Sequence, residues 1–260
     1  ETLQSHLVMI GILPTVRESE LSPANMSGLK RYRALNEQVL RLREGRPLEL
    51  DINGREHLKT QQQSVMLEAA TTSFQLHLKV HPAMAVRAYN ASIILAAPMV
   101  AATANSPYLF GHDLWSETRV PLFEQSVSVG GIAGASQGPL RRVTFGSGYA
   151  RDSIFERVVE HEQHYPVLLP MLFDDGVERM SHLRLHNGTI WRWNRPLIGF
   201  DYDGIPHLRI EHRVVPGGPG IADVIANAAL FFGLMQALMM QPEPPELQLA
   251  FTSARDNFYA

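Results

Sequence analysis

Apolar residues along this chain switch between a period of two and a period near 3.6, and the switches mark out its elements. Leu7 to Leu13 is a continuous apolar run closed by Pro14, which reads as a buried strand, and a polar loop containing Pro23 follows. Between Lys30 and Arg43 the apolar positions Tyr32, Leu35, Val39 and Leu42 recur at helical spacing. Leu48 to Ile52 followed by Asn53-Gly54 predicts a short strand opening a hairpin. Met66 to Val80 is the longest strand candidate, and His81-Pro82 then opens a long apolar helix running towards Asn105. Asn105 to Trp115 reads as loop and Thr118 to Ser126 as a short helix. Gly130 to Gly138, rich in Gly, Ala and Ser, reads as a surface loop or a lid. Ser153 with Glu156 forms a capping box for a helix reaching about His164. Two short strands, His182 to Asn187 and Thr189 to Trp193, precede a strand over 207–215. Pro216 to Gly220 then turns into a final helix, Ile221 to Met240.

Strands separated by long helices, with few regular βαβ units, predict an α+β fold with a mainly antiparallel sheet. A single domain covering residues 1–260 is the expected organisation. The apolar content of 45% and charged content of 19% place the chain among globular proteins and exclude global disorder. A formal net charge of −3 supplies no basic surplus to suggest nucleic acid or an anionic membrane as partner. The chain has no cysteine, which excludes disulfides, thiolate metal sites and a cysteine nucleophile, and fits a reducing cytoplasm. The first residues lack a basic segment followed by a sustained apolar run, so no secretory signal is predicted. Ile221 to Met240 is long enough to cross a membrane, but Asp223, Asn227 and Gln236 interrupt it and favour a buried core helix.

The chemistry is concentrated on strand faces. In His207-Leu208-Arg209-Ile210-Glu211-His212-Arg213, alternation puts His207, Arg209, Glu211 and Arg213 on one side, and Leu208, Ile210 and His212 on the other. Two guanidinium groups around a carboxylate suit phosphate or carboxylate binding, with the central Glu open to a metal. A salt-bridged face on an exposed strand is the competing reading. The same alternation loads Thr71, Ser73, Gln75, His77 and Lys79 on one face of the long strand, and His182, Arg184 and His186 on a face near 182–188. Paired in one sheet, the three faces would form one concave polar surface. For Mg²⁺, which prefers oxygen, Glu211 and Gln75 are the better ligands.

Other features keep two readings. His212 on the apolar face reads as a core histidine. Lys30, Arg31 and Arg33 at a helix start are either exposed charges or, with the helix amides, a cradle for a bound anion. Trp191 and Trp193 either wall a pocket or fill the core. No G-x-S-x-G elbow, H-E-x-x-H helix or strand-borne G-x-G-x-x-G occurs; in His161-Glu162-Gln163-His164 the histidines stand three apart.

Six segments in order resemble the glutamate-cysteine ligase family of the bacterial and plant type, including the carboxylate-amine ligases. They are Gly11 to Thr15, Arg31-Tyr32-Arg33-Ala34-Leu35, Thr72 to Leu78, His186-Asn187-Gly188-Thr189-Ile190-Trp191, the 207–213 strand, and Asp223 to Ala228. The resemblance implies a glutamine-synthetase-like fold, a curved antiparallel sheet with helices packed on one face, holding ATP, Mg²⁺ and an amino acid. It implies that a glutamate carboxylate is activated by ATP as an acyl phosphate, and that an amine such as cysteine then forms the amide, as in glutathione biosynthesis. It also implies roles. Glu211 and Gln75 would face the metal, and Arg213 and Arg209 the phosphoryl group or substrate carboxylate. Arg31 and Arg33 would serve an anionic end of substrate or nucleotide, and His77, His186, Asn187 and Trp191 would line the substrate or nucleotide pocket. The expected partners are small molecules and, in the assembly, further copies of the chain.

The family also carries a strand with paired glutamates in a G-x-E-x-E pattern, and nothing upstream of Gly11 supplies it; both ends read as cut from something longer. The ligase reading therefore competes with a catalytically incompetent remnant serving as a binding or scaffold subunit. A metal-dependent hydrolase using His77, His182 and His186 is the third reading.

Overall fold

The structure is a computed structural model that describes residues 7–129 and 141–260. The glycine-rich stretch Gly130 to Gly138 lies outside the described residues. In chain order the elements are α1 (Lys30–Leu42), β1 (Leu48–Asn53), β2 (His57–Gln62), β3 (Leu76–Val80), α2 (Ala85–Ile94), α3 (Ala96–Thr103), β4 (Tyr108–Leu109), β5 (His112–Asp113) and α4 (Arg119–Ser126). There follow β6 (Val143–Thr144), α5 (Phe155–His164), α6 (Ser181–Gly188), β7 (Trp191–Arg192), β8 (Asn194–Phe200), β9 (Pro206–His212), α7 (Ile221–Met240) and α8 (Phe251–Tyr259).

The sheet architecture differs from the expectation. Among the described residues, four small sheets stand where one large curved sheet of the glutamine-synthetase type was expected: the β1-β2 hairpin, the antiparallel trio β3-β9-β8, the β4-β5 pair and the parallel β6-β7 pair. Two misread segments account for much of the difference. His182 to Asn187 is helix α6, not a strand. Leu183 and Leu185 mimic strand alternation, but Leu183, His186 and Asn187 share one side at helical spacing and line a common cavity with Phe155 and Val158. Two polar residues on that inner face hid the period.

The second misreading concerns Met66 to Val80. Its first part, Val65–Ala70, is a 3₁₀ turn whose second residue is held by Ser64, with Met66 N donating to Ser64 Oγ at 3.4 Å. Only Leu76–Val80 is ladder-paired strand, extended loosely by Phe74 N donating to Val215 O at 2.9 Å. The third strand of the trio is β8, which no alternation announced because Pro196 and Gly199 interrupt it. Both are explained by position. β8 is an edge strand, where a missing N–H is tolerated. At Gly199 an added Cβ would sit 2.5 Å from the His207 ring across the ladder.

Several expectations hold. The Asn53-Gly54 hairpin forms with Leu48, Leu50 and Ile52 buried and the intervening residues exposed. Gly54 is needed there because the backbone of Leu114 comes within 2.5 Å of where a Cβ would stand. α1 buries Leu35 and Val39, while Leu42 is left at the surface. The glutamate half of the predicted capping box forms, Ser153 N donating to Glu156 Oε1 at 3.0 Å, while Ser153 Oγ accepts from Phe155 N at 3.1 Å. The apolar helix after Pro82 breaks at Leu95 with a 44° bend before α3, in whose first turn Pro98 lies. Leu7 to Leu13 forms no strand; Leu7 and Val8 are exposed and Gly11 O accepts Thr72 N at 2.8 Å.

The main core collects Tyr89, Phe123, Trp193, Phe231 and Phe258 between the β3-β9-β8 sheet and the helices; a second core holds Ile12, Leu50, Ile52, Leu67, Leu109 and Leu122 around the hairpin. α7 is not the buried core helix its composition suggests. It buries Val224, Phe231 and Met235 along one stripe, and leaves Ile221, Ile225 and Met240 exposed. By length and composition alone it could cross a membrane.

Candidate functional site

β9 separates two chemistries residue by residue. On the core side His212 is fully buried, donates from Nδ1 to Asn194 Oδ1 at 2.6 Å, and stacks on Phe231 at 4.4 Å between ring centroids. Burial, with Arg119 nearby, pushes its pKa down to about 3, so it is neutral: a core histidine, as its position on the apolar face predicts.

On the other side, ladder register places His77 of β3 and Arg195 of β8 on either flank of Glu211. Glu211 is 3% exposed. One of its oxygens accepts from Arg213 and the other from Arg195 at 3.2 Å; His77 Nε2 stands 3.7 Å away. Burial opposes ionisation, but Arg213 and Arg195 more than offset it and hold the carboxyl below its ordinary range. Burial also lowers the His77 pKa; Glu211 opposes that, and three neighbouring guanidinium groups add to it. His77 is therefore a neutral neighbour, not a second cation.

From this carboxylate the polar face opens into a cavity of about 430 Å³ between the start of β3, the Val65–Ala70 turn, α1 and α4. Ser73, Gln75, Glu68, Arg119, Phe123 and Arg213 contribute to its wall. Arg119 is fully committed: Nε to Glu117 at 2.9 Å, and the two terminal nitrogens to the carbonyls of Arg213 and Val214. Arg213 is not. Nη2 meets Glu211 and the guanidinium lies 5.7 Å over the Phe123 ring, yet the buried Nε has no partner. Glu68 is recessed enough that burial raises its carboxyl, with Arg213 pulling the other way. An unpartnered donor on a buried cation, beside a carboxyl and the amide of Gln75, equips this cavity for an acidic ligand that also presents a donor.

The ten residues proposed from sequence fall into four places. Gln75 and Arg213 line the cavity, with Glu211 and His77 directly behind. Arg209 continues the same face one ladder step on, opposite Lys79 and Leu197, and its Nε is also unpartnered. Arg31 reaches the rim by folding onto Tyr32, a cavity residue, with its carbon 4.7 Å from the ring centre and Nη2 donating to the hydroxyl at 2.8 Å. Arg33 is exposed on α1. His186 and Asn187 line a different cavity, at the β8 edge of the sheet. Trp191 packs against the main core, and Trp193 is fully buried, edge-on to Phe123 at 5.7 Å with Nε1 donating to Glu124 at 2.9 Å. The tryptophans fill core; they do not wall a pocket together. Of the hydrolase histidines, His182 sits on α6, hydrogen bonded to Phe173 N at 3.2 Å, and His77 and His186 line different places.

Across almost its whole length, residues 3–256, the sequence matches the model of glutamate-cysteine ligase family 2. The chain belongs to that family. No curated protein and no solved structure matches it.

Membership in the ligase family raises the question of a divalent cation, and the residues give a definite answer. Both Glu211 oxygens are engaged by arginines, and a metal there would have to displace a guanidinium. Among the described residues no group of three or more His, Asp or Glu converges on one point. Glu211 with Gln75 does not fit as a Mg²⁺ cradle in this arrangement.

Arg195, Arg119 and Glu68 were not singled out from sequence. Arg195 lies in an unrecognised strand, and Arg119 joins the site only through a contact between residues 94 positions apart. Neither carries a local signal. Glu68 was hidden because 66–70 was read as strand.

Proposed function

We propose that this chain carries the acid-binding core of an ATP-dependent carboxylate-amine ligase of the glutamate-cysteine ligase kind. The supporting observation is the Arg213 guanidinium: buried, with Nε unpartnered, in a cavity wall that it shares with Gln75 and Glu68. In this reading the acid is glutamate or a close relative. Arg213 receives its carboxylate, Gln75 and Ser73 offer hydrogen bonds, and Glu68 receives its ammonium group. Glu211 is a positioning residue: with Arg195 it fixes the Arg213 guanidinium, so the binding cation is held in place before the acid arrives. Arg209 and Arg31 extend the positive rim towards a phosphate-bearing co-substrate.

The reaction class is amide formation through an acyl phosphate. The acid's carboxylate oxygen bonds to the terminal phosphorus of ATP as ADP leaves; the amine, cysteine or another, then bonds to the acyl carbon as phosphate leaves. Such a reaction asks for positioned cations more than for covalent groups on the protein. No step is assigned to Mg²⁺ on this chain's residues. Glutathione biosynthesis and a cytoplasmic setting accompany the proposal.

The second reading, a binding or scaffold subunit without turnover, is favoured by one observation: Glu211, expected to hold the metal, is already satisfied by two arginines. One assay separates the two. With MgATP, ADP release that needs both glutamate and an amine, and falls at least about tenfold in Gln75→Ala, supports the ligase. Glutamate binding to the wild type without ADP release, for every amine tried, establishes the second reading instead.

A further inference from the structure

A second cavity, of about 140 Å³, lies where α5 and α6 meet the edge strand β8. Its wall is chiefly apolar, from Phe155, Val158, Leu183, Ile198 and Leu208. Three uncharged polar groups in the same wall are left incomplete. His161 is 3% exposed and its Nε2 has no partner; His186 Nδ1 and Asn187 Oδ1 are likewise buried and unpartnered. They adjoin one another, since His186 Nε2 meets the His161 carbonyl at 3.2 Å and Asn187 follows His186 on α6. Buried polar atoms are almost always partnered in folded proteins, so three orphans around one void mark a place where a ligand supplies the missing bonds.

The two buried guanidinium groups nearby, Arg157 and Arg192, share a carboxylate partner, although each keeps a buried Nε without a hydrogen bond. Arg157 bonds Glu160 at 2.7 Å and Ser147 at 2.9 Å, and Arg192 pairs with the same carboxylate. At the margin, Arg184 lies 5.0 Å over the Phe200 ring. Burial and Arg192 push the His161 pKa down to about 3, so the ring stays neutral. An ammonium ligand would meet two guanidinium groups and an imidazole that does not ionise; a carboxylate would find the charge of both buried guanidinium groups already offset by Glu160.

We infer that this cavity binds a small neutral molecule, or a neutral substituent of a larger one, with an apolar body and a single hydrogen-bonding head directed at His161, His186 and Asn187. Apolar cavities of about 150 Å³ accept a benzene-sized guest, which sets the size of the body. The site stands apart from the acid-binding cavity and does not depend on the ligase reading. The two are nevertheless linked through one side chain: Arg195 donates to the Asn187 carbonyl at 2.9 Å through Nη1 and to Glu211 at 3.2 Å through Nη2.

The test is an NMR titration of the whole chain with benzyl alcohol, with benzylammonium and benzoate as charged comparators. In the wild type, benzyl alcohol should move the ring resonances of both His161 and His186 along saturable curves, and both comparators should bind more weakly by about tenfold or more. Val158→Phe on α5 and Leu183→Phe on α6 fill the cavity from different helices. Either variant that keeps the wild-type circular dichroism should weaken benzyl alcohol by a similar factor. Unmoved histidine resonances, equal binding of the charged comparators, or undiminished binding in a folded variant would each overturn the inference.

Discussion

The two cavities flank opposite edge strands of one three-stranded sheet and solve burial of polar groups in opposite ways. Behind the cavity on the β3 side the groups are charged and compensate each other: Glu211 of the central strand between Arg213 and Arg195 of β8, and Arg119 against Glu117. At the β8 edge the incomplete groups are chiefly neutral: His161, His186 and Asn187 have unpartnered atoms in an apolar wall, beside an Arg157 whose charge Glu160 offsets. Buried ion pairs cost desolvation that only good geometry repays, but they fix a guanidinium in space. Neutral orphans cost less and leave a place that only a suitably shaped, uncharged group completes. The first arrangement suits an anion; the second suits an apolar guest. Arg195 touches both.

The sharpest way to break this contrast is to remove the carboxylate on which the charged side depends. Read as a solvated strand-face residue, Glu211 would be replaceable with little effect on folding. The structure reverses that expectation: Glu211→Ala leaves Arg213 and Arg195 facing each other in a buried site. It should lose about 3–5 kcal/mol of stability, measurable by urea unfolding. A double change, Glu211→Met with Arg195→Met, should recover a large part, because it removes a charge of each sign. A loss below about 1 kcal/mol in the single variant would mean that the pair behaves as a surface bridge.

The neutral histidines give the next effect, through pH. Both His161 and His212 have folded pKa values lowered to about 3, against an ordinary value near 6.5. Between those values the unfolded chain binds more protons than the folded one, so stability falls as pH falls through this window and is fully present above it. Each histidine should contribute a slope of about 1.4 kcal/mol per pH unit. His161→Gln should remove one histidine's contribution from the slope measured between pH 6 and 4.5. An unchanged slope would show that His161 already titrates normally in the folded chain.

How far the sequence discloses this molecule depends on how local each feature is. The Ser153–Glu156 cap, the Asn53-Gly54 hairpin and the two-sided character of β3 and β9 rest on neighbours in the chain, and each is legible. The grouping of Gln75, His77, Glu211 and Arg213 also follows, because alternation fixes faces once two strands pair. β8 is hidden by an edge proline and by a glycine dictated by His207 across the ladder. α6 is hidden because His186 and Asn187 sit on its inner face, where apolar residues would have revealed the helix. The large curved sheet was expected from family likeness and from the false strand at 182–187, and it disappears with that strand. Arg195 and Arg119 depend on contacts between distant segments, which no local pattern encodes.

The smallest effect separates two arginines that sequence treats alike. Arg31 and Arg33 stand two apart in the first turn of α1, a spacing that points them to different sides of a helix. Arg31 lies on Tyr32, whose ring forms part of the charged cavity; Arg33 is exposed. If the rim of that cavity attracts an acidic ligand, Arg31→Ala should weaken glutamate binding severalfold, about 1 kcal/mol for an exposed cation–ring pair and its field, and Arg33→Ala should not. Raising the salt concentration should shrink the Arg31 effect, because an exposed charge is screened over roughly 8 Å at physiological ionic strength. Equal losses in the two variants would show that α1 contributes only a diffuse positive field, and the anion site would then narrow to Arg213 and its partners.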